Sequence, residues 1–532
     1  MSEPRQRTWG EAIRAFSHPR VVVMLFLGFS AGIPYYLIFG TLSIWLREAG
    51  VDRSSVTFFS WAILGYSFKY VWAPLIDRLP IPWLTARLGR RRSWMLFAQG
   101  LVIASILAMA SVDPRQSLVA TALAAVCLGL SAATQDIVID AYRIEAIDTD
   151  YQALMASTYV AGYRMGMLLA SAGVLKLASH FGSTGETYVY AAWAKAYGFM
   201  GLAMLIGVAT TLLVQEPEPQ AAKSVGDSET EPEAGSDADA PPPPVELTTS
   251  DYARFVGLFA GVAVTFIAVF FSLESWIDSL RSQLIDTRGW GKPPAGLLVE
   301  TLRMTVSLGL AGLVGYLLIL VRAVPPDMMQ QTYVAPVTDF VRRYGRAGLI
   351  VLLLISTYRI SDLVMGTIAH VFYVDIGFTK DQIADIAKTF GLLMTIAGGF
   401  FGGLFSVRYG MRNALMLGAA SSALTNVLFA YLANVGANTH LLIAVIAADN
   451  LAQGIAVTAF VAYLSSLTSV SFTATQYALF SSIMTLFPKF VAGYSGSMVD
   501  AVGYPTFFVG TALIGIPVLV LIHYATRLEA DP

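Results

Sequence analysis

Ala132-Ala133-Thr134-Gln135-Asp136-Ile137-Val138-Ile139-Asp140-Ala141-Tyr142-Arg143 closes an apolar run that begins near Leu118. Asp136 and Asp140 are four residues apart, so on a helix they stack on one face, with Arg143 following on the same side. The next apolar run, from Ala153, carries Arg164 deep inside it. Charges inside membrane helices are costly and usually face a bundle interior or a water-filled path. The stretch therefore reads as part of a path through a membrane.

The rest of the chain agrees with that reading. Of its 532 residues, 56% are hydrophobic and only 13% charged, and the mean hydropathy is +0.62. A soluble chain of this length would need far more charge, so the class is an all-α polytopic membrane protein. The net charge of −2 gives no hint of nucleic-acid binding. The single cysteine, Cys127, allows no intrachain disulfide and makes a metal site improbable. The first twenty residues are basic, and the run after them is too long for a signal h-region.

Apolar runs able to cross about 30 Å of hydrocarbon fall at 21–46, 55–76, 93–111, 117–141, 153–178 and 192–214. Two follow at 253–273 and 297–321, and six more at 347–374, 383–406, 411–433, 440–465, 473–499 and 504–525. About fourteen transmembrane helices in a six-two-six layout result. Residues 1–214 form an N-terminal six-helix half and 326–532 a C-terminal one. Residues 251–325 hold two extra helices, expected outside the twelve-helix core. Residues 215–250, dominated by Glu, Asp, Pro, Ala and Ser, read as a disordered cytoplasmic tether. The basic N-terminal arm, the Arg-rich loop 78–92, Arg342, Arg343, Arg346, Arg408 and Arg412 fall on one side of the membrane. Both termini are therefore expected in the cytoplasm.

An internal repeat supports two similar halves. Ala153-Leu154, Ser157 and Arg164 correspond to Ala478-Leu479, Ser482 and Lys489, with the same spacing from alanine to base. The loop after the second helix reads Asp77-Arg78 and, after an insertion, Gly89-Arg90-Arg91-Arg92. Its counterpart runs from Gly403 to Arg412. Paired halves suggest a carrier with a central site between them.

Those loops resemble the signature of the major facilitator superfamily, with Ala73 in place of its leading glycine and Val407 in place of the second acid. Longer stretches resemble the AmpG muropeptide permeases in family order: Gly28–Pro34, Phe68–Arg78, Gly89–Arg92, Gln135–Ala141, Gly162–Met167, Lys388–Gly391 and Phe472–Leu479. The resemblance implies a major facilitator fold in a bacterial inner membrane. It also implies proton-coupled import of anhydromuropeptides, from periplasm to cytoplasm, for cell-wall recycling. The related acetyl-coenzyme A transporters share part of the pattern.

A proton-coupled importer needs a carboxylate that alternates between neutral and charged forms. The candidates are Asp136, Asp140 and Asp362. Asp362 lies about 20 Å along its helix, well inside the bilayer. Asp136 lies about 28 Å from the outer end of its helix, toward the cytoplasmic edge. Asp136 and Asp140 thus read equally as a cytoplasmic gate with Asp77, Arg78, Arg90, Arg91 and Arg143. Asp362 reads alternatively as a structural partner of Arg359. By the repeat, Asp136 and Asp140 match Val457 and Val461, so the first half is expected to carry more of the coupling.

An anionic sugar-peptide needs cations at mid-depth. Lys69, Arg164 and Lys489 are the candidates, with pairing to Asp136 or Asp140 as the plain alternative for Lys69. Gln135, Asn450, Gln453 and Gln476 could serve sugar hydroxyls and N-acetyl groups, or simply bond between helices. Tyr35, Tyr36 and Tyr358 could stack on sugar rings or pack. Gly28, Gly32, Gly398, Gly399, Gly402 and Gly403 permit close helix approach. No nucleotide loop, zinc spacing or serine–histidine set occurs, so no cofactor, metal or catalytic residue is expected. The expected partners are the solute, protons and lipid, around a monomer. The rival readings are an importer of another amide-bearing anion, such as a peptide or an acyl-coenzyme A, and a membrane enzyme or sensor.

Overall fold

The computed structural model describes residues 9–51, 66, 68–147, 151–183, 187–217, 249–345, 347–379, 382–492 and 495–528. Among the described residues the regular structure is all helical. Two compact units form. One joins Met1–Glu229 with Phe340–Pro532, and the other is Thr230–Asp339. The tether mostly lies outside the described residues, as does most of the second run, 55–76.

The first unit holds both halves. In the N-terminal half, α1 spans Pro19–Tyr36, α2 Ala73–Arg78, α3 Arg90–Ala110, α4 Leu118–Glu145, α5 Gln152–Leu168 and α6 Tyr190–Ala203. The helices start where sequence chemistry dictates. Pro19 opens α1, where a missing N–H costs nothing. Ser117 caps α4 by accepting from the Ala120 N–H at 3.3 Å. A π-turn, Leu37–Thr41, lengthens α1, and another, Leu169–Gly173, lengthens α5. Leu123 (62% exposed) and Leu349 (75%) point outward, as lipid-facing side chains do.

The second unit is a helical hairpin with a connecting helix. Here α7 spans Thr249–Ser272, α8 Glu274–Asp286 and α9 Lys292–Leu320. Both α7 and α8 pack on α9. Buried Arg303 is satisfied by the Phe270 carbonyl, to which its Nε donates at 2.8 Å.

In the C-terminal half, α10 spans Ala347–Thr357, α11 Ile360–Asp375, α12 Gly391–Tyr409, α13 Met411–Val435, α14 Thr439–Leu467, α15 Thr473–Ala492, α16 Ser495–Val502 and α17 Tyr504–Leu528. Asn438 caps α14 by accepting from the Leu441 N–H at 3.0 Å. The run expected as one helix over 347–374 is broken at Tyr358–Arg359, between α10 and α11. Pro488 interrupts the backbone ladder of α15 immediately before Lys489.

Glycines bring α1 and α5 together backbone to backbone. A Cβ on Gly28 or Gly32 would collide with the carbonyls of Tyr159 or Tyr163, and one on Gly162 or Gly166 with those of Leu25 or Phe29. Gly398 and Gly402 meet Leu451 and Ile455 in the same way, while Gly403 rests on Ser157 of the other half. Eleven described helices are long and apolar enough to cross a membrane. The count is lower than fourteen for three reasons. Most of 55–76 is outside the described residues, α5 ends at its π-turn after 17 residues, and α15 carries Thr473, Thr475, Gln476, Ser481, Ser482, Thr485 and Lys489.

Candidate functional site

One end of the bundle gathers the basic loops, and there the two halves are tied together. Asp77, the penultimate residue of α2, is 4% exposed. Its carboxylate accepts from the Ala474 N–H at 3.1 Å and from the Thr475 N–H at 2.8 Å. Thr475 Oγ1 adds a third bond at 2.7 Å. These donors are the unsatisfied first-turn amides of α15, so the acid also meets the positive end of that helix. Arg91 donates at 2.9 Å to the carboxylate oxygen that also accepts the Ala474 N–H, and reaches Glu145 Oε2 with its Nε at 2.9 Å. Arg90 donates to the Asp77 carbonyl at 2.6 Å. The Arg78 guanidinium lies 5.6 Å from the Phe472 ring centre. Gly89, at φ +86°, turns the chain into α3, and Glu216 caps that helix through the Arg91 and Arg92 N–H groups at 2.7 and 3.0 Å.

A second buried relay runs inward from this end. Lys69 Nζ lies 3.5 Å from Asp140 Oδ2, and Arg143 Nη2 lies 3.3 Å from Asp140 Oδ1. Arg143 also donates to Ser465 Oγ across the halves at 2.7 Å, and its guanidinium lies 5.1 Å from the Tyr477 ring centre. Asp136, one turn further in, accepts from Tyr159 at 3.4 Å. Lys69 also lies within electrostatic reach of Asp136. The plain alternative for Lys69, pairing with Asp140, is the arrangement found.

Deeper still lie three cations. At 1.5 Å per residue, Arg164 sits about 18 Å from the basic-end start of α5 and Arg359 about 18 Å from that of α10. Lys489 sits about 24 Å along α15. Arg164 and Arg359 are half-buried, and Lys489 is exposed. Arg359 is within electrostatic reach of both others, and Tyr35 is within reach of Arg164, Arg359 and Asp136. Among the described residues none of the three forms an ion pair. The Arg359 Nε is buried and has no hydrogen-bond partner.

Several expected binders are placed elsewhere. Gln135 is fully buried against α1, donating to Ser30 Oγ at 3.1 Å, because position 135 lies about 100° around the helix from Asp136. Gln476 sits in the first turn of α15, not at depth, and its carbonyl accepts from Arg343 at 2.9 Å and from the Ser469 N–H at 2.7 Å. Asn450 joins α14 to α12 by accepting from Thr395 at 3.0 Å. Gln453 is half-buried on α14. Tyr358 is a packing residue. It stacks on Phe460 at 4.2 Å and donates to the Leu415 carbonyl at 3.1 Å.

Asp362 accepts from Ser422 and lies within electrostatic reach of Arg359, without coming to ion-pair distance. Asp449 escaped the sequence reading. It is buried on α14, accepts from Thr425 at 3.2 Å, and lies within electrostatic reach of Asp362. The C-terminal half thus has buried acids of its own, at positions the repeat does not match. The only sequence signal for Asp449 was an isolated acid in the run 440–465.

Comparison with known proteins gives the fold an independent anchor. Residues 24–357 match the sequence profile of the Major Facilitator Superfamily. A Rickettsia felis protein named "Putative transporter AmpG 4" is 27% identical over 514 residues, covering 97% of this chain and 98% of that protein. The anhydromuropeptide permease of Escherichia coli K12 is 26% identical over 512 residues, covering 96% and 80%. Among solved structures, FucP in its outward conformation superposes with a TM-score of 0.58 at 11% identity, covering 96% of this chain and 99% of that one. A double-Trp variant of XylE superposes with a TM-score of 0.59 at 11% identity, covering 97% and 99%.

Proposed function

Because the chain belongs to the Major Facilitator Superfamily, we propose that it is a secondary carrier importing anhydromuropeptides with protons across a bacterial inner membrane, periplasm to cytoplasm. The basic end is cytoplasmic, and both termini lie there. The substrate class is supported by similarity to the Escherichia coli permease along nearly the whole chain. The structural observation that carries the reading is Arg164: a half-buried guanidinium at mid-depth, with no acid paired to it among the described residues. A buried cation without a partner is costly unless an anion arrives to meet it.

The residues divide into two layers. Asp77, Arg91 and the first turn of α15 close the cytoplasmic end, with Arg78, Arg90 and Arg143 in support. The acids Asp136 and Asp140 sit between that gate and the cations Arg164 and Lys489. Asp140 holds both Lys69 and Arg143, so its charge carries the inner tie between the halves. Asp362, with Asp449 beside it, is a second proton-holding candidate in the other half. Solute carboxylates meet Arg164 and Lys489, and Gln453 serves the sugar's amide and hydroxyl groups.

Competition tests the substrate class. Uptake of labelled anhydromuropeptide into proteoliposomes should be blocked by unlabelled anhydromuropeptide, and not by a free tripeptide or an acyl-coenzyme A. Block by either of the latter alone would favour another amide-bearing anion.

A further inference from the structure

We propose that Arg359 completes a three-cation recess with Arg164 and Lys489 that receives at least two carboxylates of one solute, so that the carrier selects for carboxylate number. This deepens the importer reading and rests on it.

The contrast with the buried cations nearer the basic end carries the inference. Lys69, Arg91 and Arg143 each have a carboxylate within 3.5 Å. Arg164, Arg359 and Lys489 have none among the described residues. The acids near them sit beyond ion-pair distance: Asp362 is within electrostatic reach of Arg359 and accepts from Ser422, and Asp136 accepts from Tyr159. Two backbone interruptions put the cations in place. Arg359 is the N-cap residue of α11 at its break from α10, three residues before Asp362. Pro488 interrupts α15 beside Lys489.

Arg359 belongs to one half and Arg164 to the other, yet each feels the other's charge. Like charges gathered in this way repel, and the buried Arg359 Nε is a donor left unmet. One carboxylate on Arg164 would leave the Arg359 fork empty. Two carboxylates allow each guanidinium its planar, two-point grip, with Lys489 as a compact third charge. In the proposed substrate class, the peptide-free disaccharide has one carboxylate. The same disaccharide bearing L-alanyl-D-glutamate has two.

The test compares uptake of these two ligands by proteoliposomes containing the full chain, its Arg359→Gln variant and its Arg359→Lys variant. The wild type should take the two-carboxylate ligand with an apparent KM about tenfold lower, the worth of one charge-assisted contact. Arg359→Gln should erase that preference by raising the apparent KM of the two-carboxylate ligand about tenfold more than that of the one-carboxylate ligand, with monodisperse elution in size exclusion reporting that the variant folds. Arg359→Lys should keep part of the preference. Equal KM values in the wild type, or an equal loss for both ligands in Arg359→Gln, would overturn the inference while leaving the importer reading standing. Uptake of neither ligand by the wild type would overturn both. If Arg359→Gln fails to insert, retention of the full preference by Arg359→Lys would count against the two-point grip, and its weakening would support it.

Discussion

The Asp77 carboxylate accepts the Thr475 N–H at 2.8 Å, joining the second helix of one half to the first turn of α15 in the other. A carboxylate at a helix N-terminus stabilises by about 1 kcal/mol, and Arg91 fixes its orientation. Asp77→Asn should shift the population toward an open basic end by about fivefold to tenfold. Ala462, fully buried beside Ala153 and Ala156 at the seam, is a suitable reporter. In a Cys127→Ser background, Ala462→Cys should be labelled by an impermeant maleimide several times faster once Asp77→Asn is added. An unchanged rate would remove Asp77 from the gate.

Asp140 is shared by two buried cations, so its loss strands both. Breaking a buried ion pair from one side costs about 3 kcal/mol or more. Asp140→Asn should lower the Tm of the detergent-solubilised protein and abolish uptake. The double variant Lys69→Gln with Asp140→Asn should recover part of the Tm, because one stranded charge is gone, and none of the uptake. Equal Tm values for the single and double variants would show that Lys69 and Asp140 are not coupled.

The opposite stability effect is expected at Arg164. Among the described residues it has no acid to strand, and Arg359 repels it, so Arg164→Ala should leave Tm unchanged or raised. Apparent KM should rise about tenfold or more, the worth of a lost charge-assisted contact. Unchanged affinity would take Arg164 out of solute binding.

Much of this arrangement was legible in the sequence because membrane helices report themselves by length and apolarity. The basic loops and the Asp136–Asp140–Arg143 spacing mark, in the sequence, the end where Arg143 and Asp77 reach across the two halves. The misplacements share a cause: spacing along one helix does not say which neighbour it faces. Gln135 turned to Ser30 because α1 packs on that side of α4. Arg359 and Asp362 stand at a spacing of three at the start of α11, yet the spacing alone does not bring them to ion-pair distance. Asp449 was missed because the repeat drew attention to positions matching Asp136 and Asp140, and a buried acid satisfied by Thr425 leaves no motif.

Packing of α1 on α5 sets a separate expectation. Gly32→Val would drive its side chain into the Tyr163 carbonyl, where the backbone has no room to yield. It should cost about 3 kcal/mol, seen as loss of monodisperse protein in fluorescence-detected size exclusion. Gly100→Ala, with open space around it, should behave as wild type. Normal behaviour of Gly32→Val would mean that α1 and α5 are further apart.

Proton coupling through the acids of α4 is the central claim, and one measurement meets it directly. Proteoliposomes containing the wild-type chain should accumulate labelled anhydromuropeptide when an inward proton gradient is imposed, and only equilibrate without one. Asp136→Asn and Asp140→Asn should insert normally and show no gradient-driven accumulation. Accumulation by both variants at the wild-type rate would contradict the claim.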